Sequence, residues 1–224
     1  MTAPKPATAI QRYVTEAIGV FFLCFAGIMA IKGDVLGAGI GLLGIAFAHG
    51  IALACAVAGG GHISGAHYNP AVTFGLALFG RIGWNYVPGY FVSQLAGGVF
   101  AVLCANAISS GGGMGACLPG VGVSAGQAVF AEIVLTFFLA YVVSAVGTDN
   151  SSAGSYIAPL AIGLTVFFDI LAGGPVSGAC MNPARWFGPA IVSSNFTAGW
   201  VYLVGPFVGG ALGVGAYQFV RTNK

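Results

Sequence analysis

Two short stretches constrain this chain more than any other feature: HISGAHYNPAVTFG, centred on Asn69-Pro70-Ala71, and VSGACMNPARWFGPA, centred on Asn182-Pro183-Ala184. Each reads as the start of a helix. Asn is among the best N-cap residues because its side-chain oxygen accepts a hydrogen bond from an orphan backbone N–H, and proline suits the first helical position, where no N–H is needed. A glycine-rich approach precedes each cap, and a short apolar helix follows, over residues 70–78 and 183–192. Helices this short cannot cross a bilayer alone. In an otherwise membrane-spanning chain they predict interrupted segments beside a polar path, because non-helical backbone at membrane depth is tolerated only within protein or next to water.

Composition makes the bilayer the right solvent. Charged residues are 5% of the chain and apolar ones 58%, against roughly 25% and 45–50% in soluble domains. The 224 residues suffice for about six or seven helices of ~20 residues. A net charge of +2 is too small to suggest a nucleic-acid partner. Cys24, Cys55 and Cys104 fall in apolar runs, Cys117 in a loop and Cys180 beside the second box. Their spacing suggests neither a disulfide framework nor a metal site. The first residues, MTAPKPATAIQRY, are too polar and proline-rich for a signal peptide, so the first apolar run is expected to stay as a helix.

Spans are predicted over residues 10–31, 39–58, 86–108, 127–146, 156–172 and 200–220. The expected fold is therefore all-α and integral to the membrane, with six transmembrane helices and two re-entrant half-helices in a single domain, 1–224. Residues 32–37 read as a polar turn and 109–126 as the longest loop. Six spans leave both termini on one side, where Lys5, Arg12, Arg81, Arg221 and Lys224 gather, with Lys32 alone opposite. The positive-inside rule makes the shared side cytoplasmic.

The chain also repeats itself, over about 10–108 and 127–221. TEAIGVFFL around Glu16 answers AEIVLTFFL around Glu132, Asn69 answers Asn182, and Gly97-Gly98 answers Gly209-Gly210, at offsets of 116, 113 and 112 (132 minus 16, 182 minus 69, 209 minus 97). Three spans per half is an odd number, so the second half is inverted and the half-helices should meet N-terminus to N-terminus near the midplane. There each presents the positive end of its macrodipole. Asn69 and Asn182, their oxygens occupied by capping, offer amide N–H donors to a passing water. A water that accepts both bonds turns its hydrogens away and interrupts the chain along which a proton could hop. Such a path passes neutral molecules and rejects cations.

Over essentially its whole length the sequence resembles the aquaporins, or major intrinsic proteins, from Glu16 through the paired boxes, with Arg185 directly after the second, to Gly209-Gly210. HYNPAVTFG, IAPLAIGL and LAGGPVSGACMNPARWFGPA are most similar to the tonoplast-type plant branch, whereas the compact length and short termini look bacterial. The resemblance implies a passive water channel, permeable to small neutral solutes such as ammonia and closed to protons and ions. It implies a homotetramer in the lipid bilayer, one pore per subunit, with no cofactor and no metal. The expected location is the bacterial inner membrane, with the vacuolar membrane as the alternative.

By the family's spacing from the boxes, the constriction falls on His49, Ile170, Ala179 and Arg185, a wider and less polar set than in strict water channels. The resemblance makes Glu16 and Glu132 acceptors that hold the two re-entrant loops; read alone, the glutamates could also relay protons. His67, two residues before Asn69, reads as a loop-bracing hydrogen bonder, with a gate as the alternative. Cys117 stands where some tonoplast-type channels add a histidine from the long loop. Cys180 reads as a packed thiol or a lumen-facing one. For Asp169 three readings stay open: a subunit contact, a brace of the pore wall, or a charge near the mouth. A proton-coupled transporter and a structural membrane protein are the competing classes. Nothing resembles the nucleotide loop, metal cluster or Ser-His-Asp set of an enzyme.

Overall fold

A computed structural model of the 224-residue chain describes residues 6–149 and 153–221. Lys5 and Lys224, two of the cations in the topology argument, lie outside the described residues. Among those described, six helices are long and apolar enough to cross a membrane. The spanning helices are α1 (Ala9–Gly33), α2 (Gly41–Ser64), α4 (Val87–Ile108), α5 (Ala125–Val142), α6 (Ala158–Ser177) and α8 (Val201–Val220); the half-helices are α3 (Pro70–Leu78) and α7 (Pro183–Ser193). Single π-helical turns extend α1 over Asp34–Ala38 and α5 over Val143–Gly147, and a 3₁₀ segment, Ala153–Ile157, leads into α6. Large apolar side chains such as Phe22, Phe47, Phe100, Phe130 and Phe168 stand on the outer surface, as a lipid solvent allows.

Two spans run further than the sequence suggests. Gly59-Gly60-Gly61 and Gly173-Gly174-Pro175 look like stop signals, yet α2 continues to Ser64 and α6 to Ser177. At membrane depth an unpaired backbone costs more than the helical ordering of a glycine. Here glycine makes room: a Cβ at Gly60 would collide with Tyr68 and one at Gly173 with Leu135. The true ends come at Gly65 and Gly178, whose φ values of 90° and 80° form left-handed C-caps.

The expected turn at 32–37 is also different. Lys32 lies in the last turn of α1, buried, and its ammonium donates to the carbonyls of Ser109 and Gly111 at 2.9 and 2.8 Å. It ties the long loop to α1 instead of standing free in solvent.

Within each half the spans pack together, α1 on α2 and α4, α5 on α6 and α8, while α2 and α6 join the halves. At that seam a Cβ on Gly50 would strike the Gly163 carbonyl, and one on Gly163 would strike that of Gly50. The half-helices are exchanged: α3 packs chiefly on α8 and α7 on α4. Matching glycines permit both contacts, since Gly210 abuts the Ala71 carbonyl and Gly98 that of Ala184.

Candidate functional site

Each half-helix is approached by a loop wrapped around a buried carboxylate. Glu16 Oε1 accepts from Ser64 Oγ (2.6 Å) and the His67 N–H (3.0 Å), while Oε2 accepts from the Tyr68 N–H (2.6 Å) and Gln94 Nε2 (2.8 Å). In the other half Glu132 Oε1 accepts from Ser177 Oγ (2.7 Å) and the Cys180 N–H (2.8 Å), and Oε2 from the Met181 N–H (2.6 Å). Successive N–H groups thus converge on an anion, a backbone nest. The geometry requires left-handed backbone at Ala66, Tyr68, Ala179 and Met181, with φ of 51°, 50°, 44° and 56°. Such non-glycine residues persist only where their surroundings over-determine them, and here the carboxylates do so. Tyr90 and Tyr202 complete the frame, their hydroxyls donating to the Ser64 and Ser177 carbonyls at 2.6 and 2.9 Å.

The two boxes face each other. Asn69 Oδ1 accepts from the Ala71 N–H at 2.9 Å and Asn182 Oδ1 from the Ala184 N–H at 2.9 Å, with Pro70 and Pro183 in the first helical positions. The amide nitrogens reach across: Asn69 Nδ2 donates to the Met181 carbonyl and Asn182 Nδ2 to the Tyr68 carbonyl, both at 2.8 Å. One N–H of each side chain therefore locks the opposite loop. A primary amide has two, so each asparagine keeps a second donor beside the space between the loops.

That space is a narrow cavity of about 20 Å³, bordered by both asparagines, His67 and the four residues His49, Ile170, Ala179 and Arg185. It exceeds the ~10–15 Å³ needed to hold one water centre. Its lining combines apolar side chains, from Leu23, Leu53, Val72, Leu139, Val143, Ile162 and Val166, with the polar groups. His49 Nδ1 lies 2.9 Å from the Ile45 carbonyl, so the ring proton sits there and Nε2 accepts from Arg185 Nε at 3.3 Å. Arg185 Nη1 also donates to the Gly115 carbonyl at 3.2 Å and contacts the Cys117 sulfur. The guanidinium is held against the wall by a span and by the long loop together.

His67 borders the same cavity, with its ring Nδ1 3.1 Å from Thr73 Oγ1 and its backbone N–H on Glu16. His62 stands exposed in the last turn of α2. Asp169 lies inside the bundle, fully buried, with neither oxygen hydrogen-bonded among the described residues. It belongs neither to the outer surface nor to the cavity lining, which sets aside a subunit contact and a charge at the mouth.

One reading of the sequence is overturned. Cys117 and Cys180 form a disulfide, their Cα atoms 5.9 Å apart, so Cys180 is not a free thiol. Sequence spacing could not reveal a bond across 63 residues that depends on the long loop folding back over the second re-entrant loop. Gln94, which donates to both Glu16 and Thr73 (2.8 and 2.9 Å), was also missed. So was the Tyr90–Tyr202 pair, although its offset of 112 (202 minus 90) matches the repeat.

Six spans around two half-helices, whose N-termini face each other across a slender lumen, define a membrane channel. The sequence profile of the major intrinsic proteins matches residues 4–217. Aquaporin NIP1-4 of Oryza sativa subsp. japonica is 42% identical over 222 residues, covering 98% of this chain and 80% of the relative. Probable aquaporin TIP3-2 of the same plant is 44% identical over 220 residues, covering 96% and 82%. Among solved structures, the aquaglyceroporin from Plasmodium falciparum superposes with a TM-score of 0.86 at 25% identity, covering 95% of this chain and 97% of that one. The chain belongs to the major intrinsic protein family, the aquaporins, and is a channel rather than an enzyme. The likeness extends to NIP-type as well as TIP-type plant channels, so it is broader than the tonoplast-type motifs alone suggest.

Proposed function

We propose that this protein conducts water in single file, with ammonia as a second permeant, and excludes protons and cations. The observation that carries the reading is the convergence of two half-helix N-termini and the Asn69 and Asn182 amides on a cavity of about 20 Å³. A water there accepts from the spare amide donors, and the positive dipole ends disfavour a cation. His49, Ile170, Ala179 and Arg185 act as the selectivity filter. The accepting nitrogen of His49 is spent on Arg185, and Ile170 and Ala179 add apolar wall, so a small weakly polar molecule such as ammonia loses little on entering. The similar Plasmodium falciparum chain is an aquaglyceroporin; the small volume of this cavity favours water over a triol. Glu16 and Glu132 serve as loop braces, and the donors that engage every one of their oxygens disfavour a proton relay.

Both termini face the cytoplasm in this reading. The two similar aquaporins of Oryza sativa are plant proteins, which argues against a bacterial cell membrane. The tonoplast-type motifs favour the vacuolar alternative.

Osmotic shrinkage of proteoliposomes, followed by stopped-flow scattering against empty vesicles, tests the channel. A large acceleration with a low activation energy is expected. No acceleration, with correct insertion demonstrated, refutes an open water pore. Solute flux that a pH gradient drives beyond equilibration would instead establish coupled transport.

A further inference from the structure

The disulfide occupies an unusual place. Cys180 borders the lumen, Cys117 lies directly behind it, and both sulfurs contact Arg185 Nη1. Hydrogen bonds hold the long loop at its ends, through Lys32 on Ser109 and Gly111 and through the Gly120 N–H on the Val176 carbonyl (2.9 Å). Its middle supplies two of the groups that hold Arg185, the Gly115 carbonyl and the Cys117 sulfur.

We propose that Cys117 and Cys180 are a thiol–disulfide modification site in the pore wall, oxidised by hydrogen peroxide entering through the lumen, and that the bond holds Arg185 clear of the conduction path. The inference rests on the channel reading of this same site. Both cysteines are 2% exposed, so access runs through the lumen, which admits a neutral molecule little larger than water. In the dithiol state the Cys180 thiolate attacks one peroxide oxygen and the O–O bond breaks. The leaving hydroxide takes the former thiol proton and departs as water, leaving a sulfenic acid on Cys180. The Cys117 sulfur then attacks the Cys180 sulfur. The S–S bond forms, the S–O bond breaks, and the Cys117 proton leaves with the hydroxyl as a second water. Two thiols and one peroxide give one disulfide and two waters; an added thiol reverses the bond by exchange and is itself oxidised to a disulfide. The adjacent guanidinium favours the attacking thiolate. Without the bond, the Gly115–Cys117 segment is free to withdraw, leaving His49 as the remaining acceptor for a guanidinium that then reaches into the lumen.

The test uses the full-length protein, reduced with dithiothreitol in detergent, reconstituted, and divided into portions with and without hydrogen peroxide. Peptide mass mapping should show a Cys117–Cys180 linked peptide only in the peroxide portion. Water permeability should be about twofold higher there, the change expected if a released guanidinium blocks the lumen half of the time. Cys117→Ser should conduct at the reduced rate and ignore peroxide. Equal permeability in two mass-verified states overturns the inference while leaving the channel intact. So does the absence of a linked peptide, or a peroxide response retained by Cys117→Ser. No flux in either state refutes both the channel and its control. If Cys117→Ser fails to fold, the two states of the unaltered protein still decide.

Discussion

Arg185 joins α7 to a span and to the long loop through His49 Nε2, the Gly115 carbonyl and the Cys117 sulfur. A buried cation is expensive in a membrane and is retained where it lines a path. Arg185→Val removes the charge and leaves the asparagine donors in place. We expect it to raise proton or cation leakage while water still passes; unchanged proton conductance in a pH-dye vesicle assay would discount Arg185 as a major barrier. Glu132 poses the opposite case, a carboxylate facing inward upon three donors. Glu132→Ala strands the Ser177 hydroxyl and the Cys180 and Met181 N–H groups in the interior. At about 1–3 kcal/mol for each unsatisfied buried group, the loss should markedly lower the thermal unfolding midpoint in detergent and abolish water flux. Glu132→Gln, which keeps one accepting oxygen, should lie between. An alanine variant as stable as the parent would remove Glu132 from its bracing role.

At the scale of elements, the half-helices were the most legible part of the sequence because an asparagine cap and a first-turn proline act locally. α3 begins and ends where those signals place it, and α7 runs one residue longer. The ends of α2 and α6 were misread because a run of glycines carries two meanings, a break in water and a close contact in a bilayer. Only the neighbouring element decides between them. Asp169 is legible only in the fold: its residue type stands out in an apolar span, and its setting, fully buried with neither oxygen hydrogen-bonded among the described residues, depends on the packing of neighbouring helices. The Gly50–Gly163 seam, by contrast, has a clear consequence. Gly163→Val should force α2 and α6 apart, at a cost of about 1–3 kcal/mol or more for overpacking. A lowered melting midpoint and slower water flux are expected, and a variant matching the parent in both would deny that this seam limits packing.

On the scale of the whole molecule, the exposed aromatic and aliphatic side chains leave an outer surface that lipid or neighbouring subunits can cover. Family resemblance leads us to expect four chains, each with its own lumen. Native mass spectrometry from mild detergent should give a complex four times the chain mass of 22.4 kDa; a stable monomer that still conducts water would show that the pore needs no neighbours. The exchange of half-helices also bears on biogenesis. The apolar face of α3 has its main partner in α8, which is synthesised after four further helices, α4 to α7, whereas α7 finds α4 already in place. The first re-entrant loop therefore enters the membrane before its docking surface exists, and the lumen cannot close around its midpoint until α8 has been made. α8 acts as a keystone: a nascent chain arrested before it has no finished half-pore to leak ions across the membrane in which it is being built.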